Sequence, residues 1–174
     1  MLEQILGADQ GSIMLLDAKG YLNVEASCGI PDEIASRIQL QLGERIAGVA
    51  ADEKREFLIV GDFGNYPLFH DLEENPIIKS AIICPIVYQE EVLGVLNVSR
   101  TMHDVAFTGE DLNKAKHFAR HIGIAIHHAS MCEKLERKGR ELKEMYRLLK
   151  VSHTEMIQDE SELPTENYRR KWAS

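Results

Sequence analysis

The cysteines carry the strongest intrinsic chemistry in this sequence. Cys28, Cys84 and Cys132 lie far apart and are odd in number, so neither a disulfide framework nor a paired-cysteine metal site is predicted. A catalytic thiol needs exposure and a lowered pKa. Cys84 lies within the apolar run of residues 82–85, which indicates burial. We therefore predict no catalytic residues and a protein that is not an enzyme.

The histidines offer a second possible chemistry, metal binding. His117 and His121 are four residues apart, a spacing at which two histidines of one helix can share a metal ion. No carboxylate or cysteine nearby in sequence completes a ligand set, so a polar helix face is the simpler interpretation. His70 and His103, outside the long helix predicted below, are expected to be solvated. No metal site is predicted.

Length and charge narrow the function further. With 174 residues, 44% of them hydrophobic, the chain can form one globular domain with an appendage. The net charge of -8 argues against nucleic-acid binding, which requires clustered lysine and arginine. No apolar run approaches the roughly 18 residues of a membrane span, and residues 1–8 lack signal-peptide character. We expect a cytoplasmic protein with neither a nucleic-acid nor a membrane partner.

Apolar patterns predict five strands, mostly arranged as hairpins. Gly20 supplies the positive φ of one reversal, and a charged interruption at residues 89–91 marks another. The strand candidates are residues 12–17, 22–28, 57–60, 80–88 and 92–100.

The segments between these strands are predicted to be a mixture of helix and loop, without further strands. Residues 31–41 and 44–54 are charged and helix-prone, and Pro31 suits a first helical turn. Residues 61–76 are rich in glycine, asparagine and proline, which predicts a surface loop.

One long helix is predicted from Thr108 to about residue 158, because Thr108 and Asp111 have capping-box spacing and no proline follows before Pro164. Its second half has the alternating four- and three-residue spacing of a coiled-coil seam. Lys138 and Ser152 interrupt this seam, and Gly139 weakens the helix. A homodimer is therefore predicted, with contacts at His128, Met131, Leu135, Leu142, Met145 and Leu149.

Four blocks in order resemble the GAF family of sensory domains. They are residues 7–17, residues 43–50 leading to 58–62, residues 80–88 with 93–98, and residues 107–112 at the start of the long helix. The resemblance covers roughly residues 5–135. We expect a GAF domain over residues 1–130, a coiled-coil signalling helix over 131–158 and a disordered tail over 159–174.

The resemblance implies an α+β fold, similar to profilin and PAS domains, in which a central antiparallel sheet of about six strands has helices on both faces. A small ligand, when present, would lie between the sheet and the loops on one face. The implied ligand-binding residues are Phe57, Ile59, Asp62, Phe63, Phe69, Ile82, Cys84 and Asn97. Asp62 and Asn97 are the polar members, and such groups orient ligands in apolar clefts. The resemblance leaves the cofactor unknown.

Subsets of the family carry more specific chemistry. For cyclic-nucleotide binding, Asn97, Phe107 and Asp111 match the family's motif, but Val98 and Leu112 depart from it. For reduction of free methionine sulfoxide, the required cysteine spacing is absent. Bilin or haem binding would need a placed cysteine or histidine, for which His70 is a weak candidate.

We therefore predict a bacterial-type sensory domain that binds a small molecule and signals through a dimeric helix to an output domain or partner protein. The first alternative is a ligand-free dimerisation module, with the cavity filled by Phe57, Phe63 and Phe69. The second alternative is the reductase.

Overall fold

The computed structural model describes residues 6–61, 78–102 and 105–161, with side chains of the last segment described as far as Val151. The chain divides into two compact units, residues 1–128 and 129–174. Almost all of the predicted loop at 61–76 and residues 162–174 of the predicted tail lie outside the described residues.

The described part of the first unit is built on one antiparallel sheet of six strands, in the spatial order β3-β2-β1-β6-β5-β4. This confirms the predicted α+β fold, and all five predicted strands are present. The strands are β1 (Gln10–Leu16), β2 (Tyr21–Cys28), β3 (Gln39–Gln41), β4 (Phe57–Val60), β5 (Ser80–Tyr88) and β6 (Glu91–Arg100).

The two predicted hairpins close by different turn chemistry. Between β1 and β2, the Asp17 carboxylate accepts hydrogen bonds from the backbone N–H groups of Lys19 and Tyr21, at 2.8 and 2.9 Å. Between β5 and β6, Gln89 and Glu90 have φ of 45° and 68°. Positive φ at both central residues suits a hairpin turn whose twist matches that of the strands.

The prediction that residues 31–41 form helix and loop but no strand was wrong at its C-terminal end. Helix α1 covers only Asp32–Ala35, and the chain then forms β3, where Leu40 is buried between two exposed glutamines. Leu40 lies opposite Leu22 of β2. Pairing with the sheet edge therefore overrides the local helix propensity.

Helices cover both faces of the sheet. Helix α2 (Arg45–Asp52) lies in the predicted helical segment 44–54 and packs Ala47, Ala50 and Ala51 into one core cluster. Helix α3 (Gly109–Ser161) buries Ala115 and Ala119 in a second cluster, which also contains Ile82, Cys84 and Leu96. The sheet thus separates two apolar layers.

The predicted capping box begins α3. The N–H and hydroxyl groups of Thr108 both donate to Asp111 Oδ2 at 3.0 Å, and the Asp111 N–H donates to Thr108 Oγ1 at 3.3 Å. Partial burial opposes ionisation of Asp111, but the Thr108 hydrogen bonds and the nearby Arg100 outweigh it and lower the pKa of this carboxyl.

In the second unit, α3 continues to Ser161, three residues beyond the predicted end at about residue 158. The apolar seam residues predicted within this unit are 46% to 68% exposed. They are Met131, Leu135, Leu142, Met145 and Leu149. Among the described helices, none has the length and apolar character needed to cross a bilayer.

Candidate functional site

A cavity of about 430 Å³ lies between the sheet and the segment that contains α1 and α2. Residues of β1, β5 and β6 form its floor, and residues 30–47 form much of its wall. Ile34 stands at its rim with 55% of its surface exposed. The cavity has the size of a small-metabolite site.

The floor of the cavity carries a neutral polar pair at its centre. Ser12 on β1 lies directly opposite Asn97 on β6, and Asn97 Nδ2 donates a hydrogen bond to Ser12 Oγ at 3.3 Å. Asn97 Oδ1 accepts no hydrogen bond from the described residues, so it is available to a donor on a ligand. Gln10 and Ser99 extend this polar stripe along the same strands.

The walls are apolar, with one charged exception. Six isoleucines contribute to the lining, and they are Ile30, Ile34, Ile38, Ile46, Ile78 and Ile83. Arg45, the first residue of α2, is the one charged residue among the described residues that line the cavity. Its φ of 53° is unusual for a residue with a side chain. Such strained positions recur at ligand sites.

The structure separates the predicted ligand-binding residues. Asn97 lines the cavity. Phe57 and Ile59 are buried in the core cluster on the same face of the sheet but do not line the cavity. Ile82 and Cys84 require a correction, because both belong to the cluster on the opposite face, against α3. Asp62, Phe63 and Phe69 lie outside the described residues.

Sequence reasoning missed Ser12, Arg45, Ala81 and Ile83 as lining residues. For three of them the signal depended on strand register, because Ser12 and Ile83 lie opposite Asn97 only in the observed pairing and Ala81 lies two residues from Ile83 on the same face. Arg45 had none, since nothing local in the helical segment 44–54 indicates which residue approaches the sheet.

Cys84 is unsuited to nucleophilic chemistry. Its side chain is 1% exposed, and burial, together with the charge of Glu56, raises the pKa of the thiol to about 12. Cys28 and Cys132 are exposed. Lys116, whose charge would lower the pKa of the thiol, forms an ion pair and hydrogen bond with Glu56 and is therefore already paired.

Phe107 and Asp111, which match part of the cyclic-nucleotide motif, have structural roles on the other side of the sheet. Phe107 is 3% exposed in the cluster against α3, beneath the Arg100 guanidinium at 4.1 Å from its ring centroid. Arg100 also donates to the carbonyl oxygens of Leu6 and Gly7, at 2.7 and 2.9 Å. These residues hold the start of α3 and do not line the cavity.

The predicted polar role of the helix histidines agrees with their surroundings. His117 and His121 are exposed, and His121 Nδ1 lies 2.7 Å from the His117 carbonyl oxygen. Within the described residues, no group of three or more histidine, cysteine or acidic side chains is placed to hold a metal ion. His70 and His103 lie outside those residues.

Comparisons with known proteins agree with this architecture. The chain is 24% identical over 147 residues to the protein named "Probable 3',5'-cyclic phosphodiesterase pde-5" of Caenorhabditis elegans, which matches 78% of this chain but only 20% of that protein. The chain thus spans about a fifth of the length of this relative.

Solved structures share the fold. One is the GAF domain of an Acinetobacter phosphoenolpyruvate-protein phosphotransferase, with a TM-score of 0.65 and 22% identity, covering 76% of this chain and 79% of that one. Another is a methyl-accepting chemotaxis protein, residues 122 to 287, with a TM-score of 0.64 and 23% identity, covering 75% and 85%. A family model described as GAF domain matches residues 1–127, and the chain therefore belongs to the GAF domain family.

Proposed function

We propose that this GAF domain is a non-enzymatic sensor that binds a small molecule in the cavity between the sheet and α2 and relays occupancy through α3 in a signalling protein. The observation that carries the proposal is the cavity itself, with the Ser12 and Asn97 pair set among apolar walls. Polar groups that converge in an apolar cleft give a ligand both affinity and orientation.

A physical route from the cavity to α3 supports the relay. Ile83 of β5 lines the cavity, and the same strand ends at Tyr88, whose ring stacks on His127 of α3. A ligand that displaces β5 would therefore act on α3 through this contact. Such a relay requires that the ligand binds more tightly to one arrangement of α3 than to another.

The experiment that tests binding is native mass spectrometry of the purified full chain, before and after mild denaturation, with an Ala81→Phe variant beside the parent. Ala81 lines the cavity, so the larger side chain reduces its volume. An extra mass carried by the folded parent, lost on unfolding and absent from the variant, supports the sensor. A parent without added mass, and without a thermal shift in a metabolite panel, supports the ligand-free module instead. The variant must retain the parental circular dichroism spectrum.

Dimerisation through α3 is the second part of the proposal, and the exposed apolar stripe of the second unit supports it. Replacing Leu142 or Leu149, both more than 60% exposed, by glutamate would place charge in the seam. Val151→Glu is the matched control, because Val151 is exposed but lies off the seam. Sedimentation should give a monomer for the seam variants and a dimer for the control. Monomeric parent protein would refute this part.

A signalling output domain or partner protein, a bacterial context and a cytoplasmic location complete the proposal. The chemotaxis and phosphotransferase proteins that share the fold support the signalling context, and the acidic composition supports the location.

Cys84, buried and with a raised pKa, argues against the reductase alternative. Purified full chain should therefore leave free methionine sulfoxide unreduced in the presence of a thiol reductant.

A further inference from the structure

We infer that the cavity accepts a small organic acid, with its carboxylate at Arg45 and an apolar body against the isoleucine walls. This inference rests on the proposed function, because it names the class of ligand for the same cavity. Three properties of the described lining residues support it, namely one charged side chain among them, apolar walls, and neutral hydrogen-bonding side chains that are confined to the floor.

Among the described lining residues, the charge comes from Arg45. The Arg45 guanidinium forms no ion pair or hydrogen bond with another side chain in the described part of the chain, although the protein is acidic overall. The carboxylate of the preceding residue, Glu44, is engaged elsewhere, because its Oε2 accepts the N–H of Gln41 at 2.9 Å. A ligand carboxylate would therefore meet an arginine that pairs with no acidic side chain among the described residues, and such charge-assisted pairs are among the stronger hydrogen bonds.

The start of α2 adds to this preference for an anion. Arg45, Ile46 and Ala47 all line the cavity, and the first turn of α2 contains no acidic residue. The N–H groups at a helix start carry partial positive charge. Glu44 O accepts the Gly48 N–H at 3.0 Å, whereas the N–H groups of residues 45–47 donate to no acceptor among the described residues.

The remaining lining selects the body of the ligand. The isoleucine walls favour an apolar ligand surface, and the neutral hydrogen-bonding side chains among the described lining residues are confined to the floor, where Gln10, Ser12, Asn97 and Ser99 lie. A sugar or purine would lose several hydrogen bonds to water on entry, which is costly. No acidic side chain among the described lining residues would pair with an ammonium group. The cavity therefore favours a monoanion over a zwitterion, a neutral polar compound or a cation.

Calorimetric titration of the full chain with matched probes tests the inference. The probes are straight-chain monocarboxylates from acetate to octanoate, 3-phenylpropanoate, 4-methylpentanoate, its neutral analogue 4-methylpentanamide, and leucine, which adds an ammonium group. Affinity should rise by about fourfold for each methylene until the cavity is full. The acid should bind about tenfold more tightly than its amide, because only the acid forms the charge-assisted pair. Leucine should bind more weakly than 4-methylpentanoate.

Two arginine variants distinguish a direct pair between Arg45 and the ligand carboxylate from a general effect of net charge. Arg45→Gln should bring the acid to the affinity of the amide. Arg37→Gln changes the net charge equally at an exposed arginine that does not line the cavity, so it should leave both affinities unchanged.

The outcomes distinguish the ligand class from the proposed function. Failure of every acid to bind at millimolar concentration, equal binding of acid and amide, or an Arg45→Gln variant that binds like the parent overturns the acid inference. The sensor proposal survives if a neutral, cationic or cyclic-nucleotide ligand binds the parent but not Ala81→Phe. Both fail if no ligand of any class binds.

Discussion

The rings of Tyr88 and His127 stack with their centroids 3.9 Å apart and their planes 15° from parallel. Tyr88 is the last residue of β5, and His127 lies on α3. The same strand and helix approach closely one turn earlier, where a Cβ on the buried Gly123 would lie 3.0 Å from the Val87 carbonyl oxygen. The end of β5 is therefore held against α3 by a ring stack and by a close backbone contact.

The stack predicts an energetic coupling between Tyr88 and His127. In a double-mutant cycle of Tyr88→Leu and His127→Leu, urea unfolding should give a coupling of about 0.5–1.5 kcal/mol, the range for aromatic pairs. A second cycle that combines Tyr88→Leu with His121→Leu is the control, because His121 is exposed and outside the stack. Its coupling should be close to zero. Equal couplings in the two cycles would show that the stack contributes nothing specific.

The lowered pKa of Glu56 predicts that the stability of the fold depends on pH in the acidic range. The hydrogen bond and charge of Lys116 lower the pKa of Glu56 from its ordinary value of 4.5, against the opposing effect of partial burial. The ionised carboxylate therefore stabilises the folded state above the unfolded-state pKa, and this contribution is lost as the pH falls through the folded-state pKa.

Glu56→Gln should accordingly lower the free energy of unfolding near neutral pH by less than about 1 kcal/mol, since the pair is partly exposed. The difference from the parent should shrink as the pH falls below 4.5. Glu25→Gln, at an exposed position on β2, is the control and should follow the parent at every pH. A constant difference for Glu56→Gln would contradict the assigned role of Lys116. Urea titrations at a series of pH values measure both.

The burial and raised pKa of Cys84 predict that its thiol reacts slowly with thiol reagents. With a pKa of about 12, its thiolate fraction near pH 8 is roughly one in ten thousand, and its burial blocks access of reagents. Exposed Cys28 and Cys132 should react rapidly with an aromatic disulfide reagent, whereas the remaining equivalent should react only after denaturation. Cys84→Ala should remove that slow equivalent alone. Rapid reaction of Cys84 in the folded protein would restore thiol catalysis as a candidate function.

Local sequence signals were sufficient for most of the sheet. Alternating apolar runs and turn residues predicted five strands, and the spacing of Thr108 and Asp111 predicted the start of α3. The strand that was missed, β3, is three residues long with one buried side chain, Leu40. So short an edge strand has no measurable periodicity. Its position depends on pairing with β2, and the local sequence does not reveal that pairing.

The candidate site was harder to predict because its residues depend on strand register. A regular hairpin closed by residues 89 and 90 would place Ile82 opposite Asn97. The observed register shifts at Ile86 and Val87, with Leu93 as the extra residue of β6, so Ile83 lies opposite Asn97 instead. A one-residue shift exchanges the faces of the sheet, which moves Ile82 and Cys84 away from the cavity.

Two glycines predict opposite effects of the same substitution. An added Cβ at Gly94 would lie 2.0 Å from the Met14 carbonyl oxygen, so Gly94→Ala would force β1 and β6 apart. We expect it to lower the free energy of unfolding by roughly 3 kcal/mol, as overpacking against backbone does. At Gly139 on α3, an added Cβ meets nothing within 4 Å. Gly139→Ala should therefore stabilise the helix by up to about 1 kcal/mol.

Urea and thermal unfolding followed by far-ultraviolet circular dichroism measure both glycine variants against the parent. The pair is its own control, because each variant adds one methyl group and only the surroundings differ. Stability retained in Gly94→Ala would mean that the close approach of β1 and β6 is not what requires glycine in β6, whereas stability lost in Gly139→Ala would contradict the open surroundings of that helix position. Since β6 also carries Asn97, loss of ligand binding in Gly94→Ala at a temperature where it remains folded would further indicate that the spacing of these strands sets the cavity floor.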